Sequence, residues 1–310
     1  MKFNIKNLIP LLLIFILFSC QPKGDWMDYK FSIENGENLS KAELENFNAT
    51  IQAKLKRMGF AESTSRIQGE HLMVHAMINL ESEVENDNFM LIFESNKLEF
   101  WHTHKVTDPL IKAIDRSKLN ATGFIPYYEI PGHLQDECFG ICYDANKKDE
   151  IISTLNNQIE LLKLRLFWTE LKSGPEYDRD QYQLIMINTD GKINAPITEA
   201  DIKEVSANKS AYDSRLHEIW LTFKESAAKE WTKMTTYAAS NGNRSIAIIV
   251  NDEVYSVPRV NQPITGGRSA ISGDFDKMGA ELYARKLRSG RLDHKLKLLS
   301  VKKEATGGEK

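Results

Sequence analysis

At 310 residues with 42% hydrophobic and 27% charged residues, the chain can bury one substantial core or two modest ones, and this composition excludes global disorder. A formal net charge of -3, spread without long runs of one sign, excludes the basic footprint expected of a nucleic-acid binder.

The N-terminus reads as an address. Lys2 and Lys6 precede an apolar run from Leu8 to Phe18, and Leu17-Phe18-Ser19-Cys20 follows in lipobox form. The pattern predicts a lipoprotein signal peptide over residues 1–19, cleaved before Cys20. Acyl chains on Cys20 would hold the protein at a membrane by burying methylenes. About eleven apolar residues are too few to span a bilayer, which takes roughly twenty, and nothing after Cys20 approaches a second span. Gln21 gives no acidic retention signal. The expected location is the cell envelope, facing the periplasm, with the choice of membrane left open.

Residues 20–28 form a tether, and Tyr29 to Ile33 reads as a first strand. Ser40 and Glu43 make a capping box, Leu44, Phe47, Ile51 and Leu55 recur at helical spacing, and Gly59 stands where a C-terminal cap belongs. His71 to Leu80 reads as a strand, Glu81 to Glu94 as a weaker helix and Leu98 to His104 as another strand. Pro109, Pro126 and Pro131 then mark loops. A helix is placed over 149–161 and strands over 164–169 and 182–188.

Cys138 and Cys142 follow in a chain expected to be exported to an oxidising compartment, which makes them a candidate local disulfide, with two free thiols as the alternative. Their three-residue spacing is not that of a thioredoxin-like motif, and no second Cys/His pair completes a zinc site. Further on, Ala227, Trp231, Met234 and Ala238 line one face of a helix that Asn241-Gly242 ends. Ile246–Val250 and Val254–Val257 flank a hairpin turn at Asn251-Asp252. A glycine-bearing loop runs from Thr265 to Gly273, a helix from about Phe275 to Ser289 stops at Gly290, and a strand covers 296–301. Helices and strands alternate irregularly, so the expected class is α+β rather than doubly wound.

The stretch from Ile248 to Phe275 resembles the SecD/SecDF protein-export family, in which a strand pair ending in V-x-S-x-P-x-V leads to I-x-G-G-x-x-x-I-S-G-x-F and a helix. The motif loop comprises Thr265, Gly266, Gly267, Arg268, Ile271, Ser272 and Gly273. Leu287-Arg288-Ser289-Gly290-Arg291-Leu292 is similar to the family's L-R-S-G-x-L-P helix end, with Asp293 in place of the proline. Phe223 to Trp231 and Lys97 to Trp101 fall in the family's order upstream.

The resemblance implies the family's first periplasmic domain. A ferredoxin-like base, discontinuous over 29–106 and 266–301, would carry an inserted α+β head over 107–265, with a disordered tail over 302–310. It further implies binding of unfolded or translocating polypeptide, with Sec translocon components as further partners; together with the lipobox at Cys20 and the lack of a catalytic motif, the expectation is a non-catalytic accessory lipoprotein. No transmembrane bundle accompanies it here, so no proton-driven motor is expected. The alternative is a structural or adaptor lipoprotein that reuses the fold to bind one envelope partner.

Sharper chemistry finds little support. Gly266-Gly267 lacks the P-loop pattern, and the resemblance explains the pair as a tight turn. His102 and His104 alternate on a strand and would need His71 or His75 to complete a metal site, so partly exposed strand histidines are the simpler reading. Glu81 with Glu83 and Asp149 with Glu150 look like solvated helix starts rather than acid/base pairs. No nucleophile elbow is present, and neither cofactor nor metal is expected. Trp220, Phe223, Trp231 and Tyr237 are candidates for a polypeptide groove, although helical spacing assigns Trp231 to the core first. Edge strands of the head offer a second, main-chain mode of capture.

Overall fold

The computed structural model describes residues 24–115, 117–129, 136–162, 164–171 and 180–304; the stretch expected to be a signal peptide, Cys20 and residues 305–310 lie outside the described residues. In chain order the first half holds β1 (Asp25–Ile33), α1 (Lys41–Arg57), β2 (Thr64–Gln68), β3 (His71–Ile78), α2 (Glu83–Met90), β4 (Leu98–Thr103), α3 (Pro109–Lys112), β5 (Ile125–Pro126), β6 (Cys138–Cys142) and α4 (Lys148–Leu161). The second half holds β7 (Leu164–Leu171), β8 (Gln181–Asn188), β9 (Ile197–Thr198), β10 (Ile202–Lys209), β11 (His217–Phe223), α5 (Glu225–Ser240), β12 (Ile246–Val250), β13 (Glu253–Ser256), β14 (Arg268–Phe275), α6 (Lys277–Ser289) and β15 (Leu296–Lys303). The chain divides into two compact units, one made from both ends (up to Glu94 and from Leu292), the other from Ser95–Arg291.

The first unit is ferredoxin-like. Its antiparallel sheet runs β15-β1-β3-β2, with α1 and α2 in the two crossover positions and the last strand supplied by the far end of the chain. β1 alternates, burying Met27, Tyr29, Phe31 and Ile33 against Phe47, Ile51 and Leu55 of α1. Tyr29 stands between Val301 and Val74, and Phe31 between Leu298 and Leu72.

Local chemistry sets the limits of α1. The Glu43 amide donates to Ser40 Oγ at 3.3 Å, and the Ser40 amide donates back to the Glu43 carboxylate at 2.7 Å. At the other end Gly59 takes φ +96°, which lets the Phe60 amide reach the Leu55 carbonyl at 2.9 Å and satisfy an orphan acceptor. Lys54 is buried on the inner side of this helix, and its Nζ donates to the Glu94 carbonyl at 2.9 Å.

The second unit contains two sheets. The larger runs β13-β12-β4-β8-β6-β5, with β7 paired along β8 and β9 paired with β4. One of its faces buries Trp101, Ile185, Ile187, Ala247 and Ile249; Leu164, Trp168, Leu184 and Met186 pack instead with Ile151 and Leu155 of α4. The smaller sheet is β10-β11-β14. Val205, Ile219, Leu221 and Ile271 from it share one core with Phe100, Ile246 and Ile248, filled by Trp231 and Met234 of α5 and Ala284 and Leu287 of α6. Burying a side chain such as Trp231 is worth roughly 1.5–3 kcal/mol, so α5 is held by packing more than by propensity. Asn96 and Gly290 close the ends of this unit: the Asn96 amide donates to the Gly290 carbonyl at 3.1 Å, and its side chain donates to Ser289 Oγ at 2.9 Å.

Several expectations change. The segment 268–275 is a strand paired along β11, not a loop, because its backbone completes the small sheet despite a Ser/Gly-rich sequence. The units divide at Glu94 and Leu292 rather than at 106 and 266, since β4, β14 and α6 find their partners in the second unit. β15 continues through Lys303, two residues into the stretch read as a tail. The Cys138–Cys142 disulfide is also corrected. Both cysteines are free and buried at opposite ends of extended strand β6, which at about 3.3 Å per residue holds them too far apart to bridge.

Candidate functional site

The small sheet has one buried and one open face. Ile219, Leu221 and Phe223 of β11 point into the core, so the intervening Glu218, Trp220 and Thr222 point the other way. Register then sets three rows across the open face: Glu204, Thr222 and Arg268; Ser206, Trp220 and Ala270; Asn208, Glu218 and Ser272. Trp220 stands at the centre, 38% exposed, with small side chains on both sides. At one end of the face the Glu218 carboxylate is buried and accepts Ser210 Oγ at 2.8 Å and Ser272 Oγ at 3.3 Å.

Among the described residues, both outer strands of this sheet pair on one side only, with β11. On β10, Arg288 of α6 donates from Nη2 to the Val205 carbonyl at 2.9 Å, covering one acceptor of that edge. The face therefore offers an aromatic platform, polar small side chains and unpaired main-chain groups.

The motif loop shapes this sheet. Gly266 and Gly267 have φ +85° and +67°, conformations that favour glycine. The Phe223 amide donates to the Gly267 carbonyl at 2.8 Å, and the turn sits directly on Ala228 of α5. Thr265 is exposed, and the residue before it, Ile264, receives the Thr232 hydroxyl and donates to that of Thr235. Arg268 ends one row of the open face, Ile271 is in the core, and Ser272 reaches Glu218; Gly273 continues β14.

The four candidate aromatics separate. Phe223 and Trp231 are core residues in contact with each other and with Phe100. Tyr237 is exposed on α5 and lies edge-on to the His102 ring at 4.9 Å, so of the four only Trp220 belongs to the open face. Sequence reasoning named Trp220 but missed β10 and the strand character of 268–275. The alternation of Ile219, Leu221 and Phe223 was the available signal.

His104, His102 and His75 each have their own local partners. His104 Nδ1 lies 3.2 Å from Asp108, which in turn receives both terminal nitrogens of Arg244 at 2.8 and 2.9 Å. Burial favours the neutral His104 ring over the pull of Asp108; it also lowers His102, with help from the positive charge of Lys192 and Arg244. Burial alone would raise the Asp108 carboxyl, but Arg244, the Lys105 amide and His104 bring it down to about 2. His75 is stacked on Trp26 and contacts Asp28 at 2.9 Å in the first unit. Among the described residues no group of three or more His, Cys, Asp or Glu side chains is placed to hold a metal ion. Glu81, Glu83 and Glu150 are exposed, as is Asp149. No helix among the described residues is long and apolar enough to cross a membrane.

Comparison with known proteins falls on the same region. Residues 177–294, which include the open sheet and the motif loop, match the SecDF P1 head subdomain. The chain is 40% identical over 106 residues to the protein translocase subunit SecD of Acidaminococcus fermentans, covering 34% of this chain and 24% of that protein. It is 27% identical over 132 residues to the SecDF subunit of Thermus thermophilus, covering 43% and 17%. It thus spans about a quarter or less of the length of these relatives. Among solved structures, the crystal structure of SecDF in a super-membrane-facing form shares the fold over 94% of this chain and 33% of its own, at 20% identity and a TM-score of 0.53. The chain is thus similar to the SecDF P1 head subdomain over residues 177–294 and to a SecD subunit over 34% of its length.

Proposed function

We propose that this chain serves protein export at the cell envelope as a non-catalytic lipoprotein, anchored through Cys20 and facing the periplasm, that holds unfolded or translocating polypeptide on the open face of the β10-β11-β14 sheet. The observation that carries this reading is the position of Trp220. It stands exposed at the centre of an uncovered sheet face, inside the segment similar to the SecDF P1 head. The exposed part of an indole offers apolar contact that needs no particular partner sequence, which suits clients that share only an extended backbone. Holding of this kind is passive. Directionality comes from partners, for which Sec translocon components are the natural class.

The test is in-cell photo-crosslinking from probes at Ser206 and Ala270, the neighbours of Trp220, with mass spectrometry of the adducts. A broad set of secreted precursors together with Sec components is expected. One dominant envelope protein would replace the proposal with a dedicated adaptor. Metabolic labelling with palmitate, lost in Cys20→Ser, tests the anchor separately.

A further inference from the structure

The first unit carries an exposed apolar edge that the export reading does not use. β15 pairs with β1 on one side and, among the described residues, with nothing on the other. Leu298, Leu299 and Val301 are 39%, 47% and 43% exposed on this strand. Two of them continue buried rows of the core. The Val74-Tyr29 row runs out to Val301, and the Leu72-Phe31 row runs out to Leu298. Tyr29 and Phe31 are covered, whereas their β15 neighbours are open to water. A long unpaired strand with exposed apolar side chains is the arrangement that natural sheets normally blunt, and it templates pairing with another chain.

Charge indicates which chain. From His294 to Lys303 the sequence contains Lys295, Lys297, Lys302 and Lys303 and no carboxylate. Lys303 is paired with Asp25 at 2.8 Å. Among the described residues Lys295, Lys297 and Lys302 have no carboxylate within ion-pair reach, and all three are exposed. Lysines therefore bracket the apolar centre on both sides. A second copy of this chain fits poorly. Antiparallel self-pairing that opposes Leu298 and Val301 also opposes Lys297 and Lys302, twice, and directly opposed like charges disfavour a strand pair.

We propose that the β15 edge is a strand-addition site for an extended protein segment with an apolar centre and carboxylates on both flanks. The added strand takes main-chain hydrogen bonds from β15, covers Val301 and Leu298, and places its carboxylates near Lys297 and Lys302. The site lies in the base and stands independently of polypeptide holding on the β10-β11-β14 sheet.

The experiment uses the folded mature chain and a fluorescent peptide of alternating apolar residues with glutamates at both ends, read by anisotropy against the same peptide with terminal lysines. The acidic peptide is expected to bind at least about tenfold more tightly, to weaken as salt is raised, and to slow exchange of the β15 amides. A Leu298→Glu/Val301→Glu variant should lose at least about tenfold in affinity with its thermal unfolding unchanged, since both side chains are exposed. Equal affinity for the two peptides, or none for either, overturns the proposal. So does variant-sensitive binding to phosphatidylglycerol vesicles without peptide binding, which would make the edge a lipid-surface contact. Concentration-dependent dimers lost in the variant would assign it to a second copy.

Discussion

A methyl group at Gly267 would lie 2.7 Å from the Ala228 Cβ, so the second glycine of the motif turn is fixed by its approach to α5 as well as by its φ of +67°. Gly266 has φ +85° but no atom within 4 Å of such a methyl. Gly267→Ala should therefore cost about 2–4 kcal/mol, from overpacking added to backbone strain, and Gly266→Ala about 1 kcal/mol from strain alone. Denaturant unfolding followed by tryptophan fluorescence measures both. Equal costs would mean that contact with Ala228 is not what requires the glycine.

The Asp108–Arg244 pair predicts an acid limit for the second unit. The folded Asp108 carboxyl, at about 2, lies below its ordinary value. Its contribution is therefore fully present above about pH 4 and is lost as pH falls toward 2. Asp108→Ala leaves the half-buried Arg244 guanidinium without its bidentate partner and should cost about 3 kcal/mol or more, a loss seen at pH 7 but shrinking at pH 2. A pH series of urea melts for both proteins checks the sign.

Lys54 predicts the opposite trend in the first unit. Burial, aided by the charge of Arg57, brings its ammonium down to about 7 despite the pull of Glu94. Between about pH 7 and 10.5 the unfolded chain holds a proton there that the folded chain does not, so stability should rise with pH across that window by a few kcal/mol. Lys54→Met should flatten the rise. A slope that persists in this variant would place the titration elsewhere.

Trp220 and Trp231 should separate function from folding. Trp220→Ala removes an exposed side chain and should change stability by less than about 1 kcal/mol while sharply reducing crosslinks to exported precursors. Trp231→Ala empties a core position and should cost about 3–5 kcal/mol. Crosslinking unchanged in Trp220→Ala would remove the open face as the holding site.

The two cysteines should behave as inert thiols. Burial pushes the Cys138 thiol up to about 12 and raises that of Cys142. Intact-mass labelling of the native protein should show slow alkylation of both, with no change on adding reductant.

Legibility followed the reach of each signal. The helix from Lys41 to Arg57 could be read because its capping box, apolar stripe and terminal Gly59 are all local. The Asn251-Asp252 turn was likewise local; both residues adopt positive φ, as the hairpin requires. β10 was hidden because only Val205 of Ile202–Lys209 is buried, leaving no clean alternation. β6 was hidden by Gly140, which lies so close to the Phe124 ring and the Ile125 carbonyl that no side chain would fit. β14 is a strand through its register with β11, a long-range pairing that Ser269, Ser272 and Gly273 do not advertise. The open face depends on both pairings of β11, with β10 and with β14, so Trp220 was visible as an aromatic residue but not as the centre of a surface.

The Asn96 clasp bears on the order in which the chain can be built. β15 must join β1 across an insertion of about 200 residues, and an unstructured loop of that length would carry a heavy closure penalty. Once the inserted unit has folded, Asn96 holds Ser289 and Gly290 beside its own entry strand, and the gap to be closed shrinks to a few residues at each end. That shortening is worth roughly 3 kcal/mol. The half-made sheet that leaves the ribosome first thus waits for a domain synthesised after it, and assembly of the base becomes a readout of whether its insert has folded.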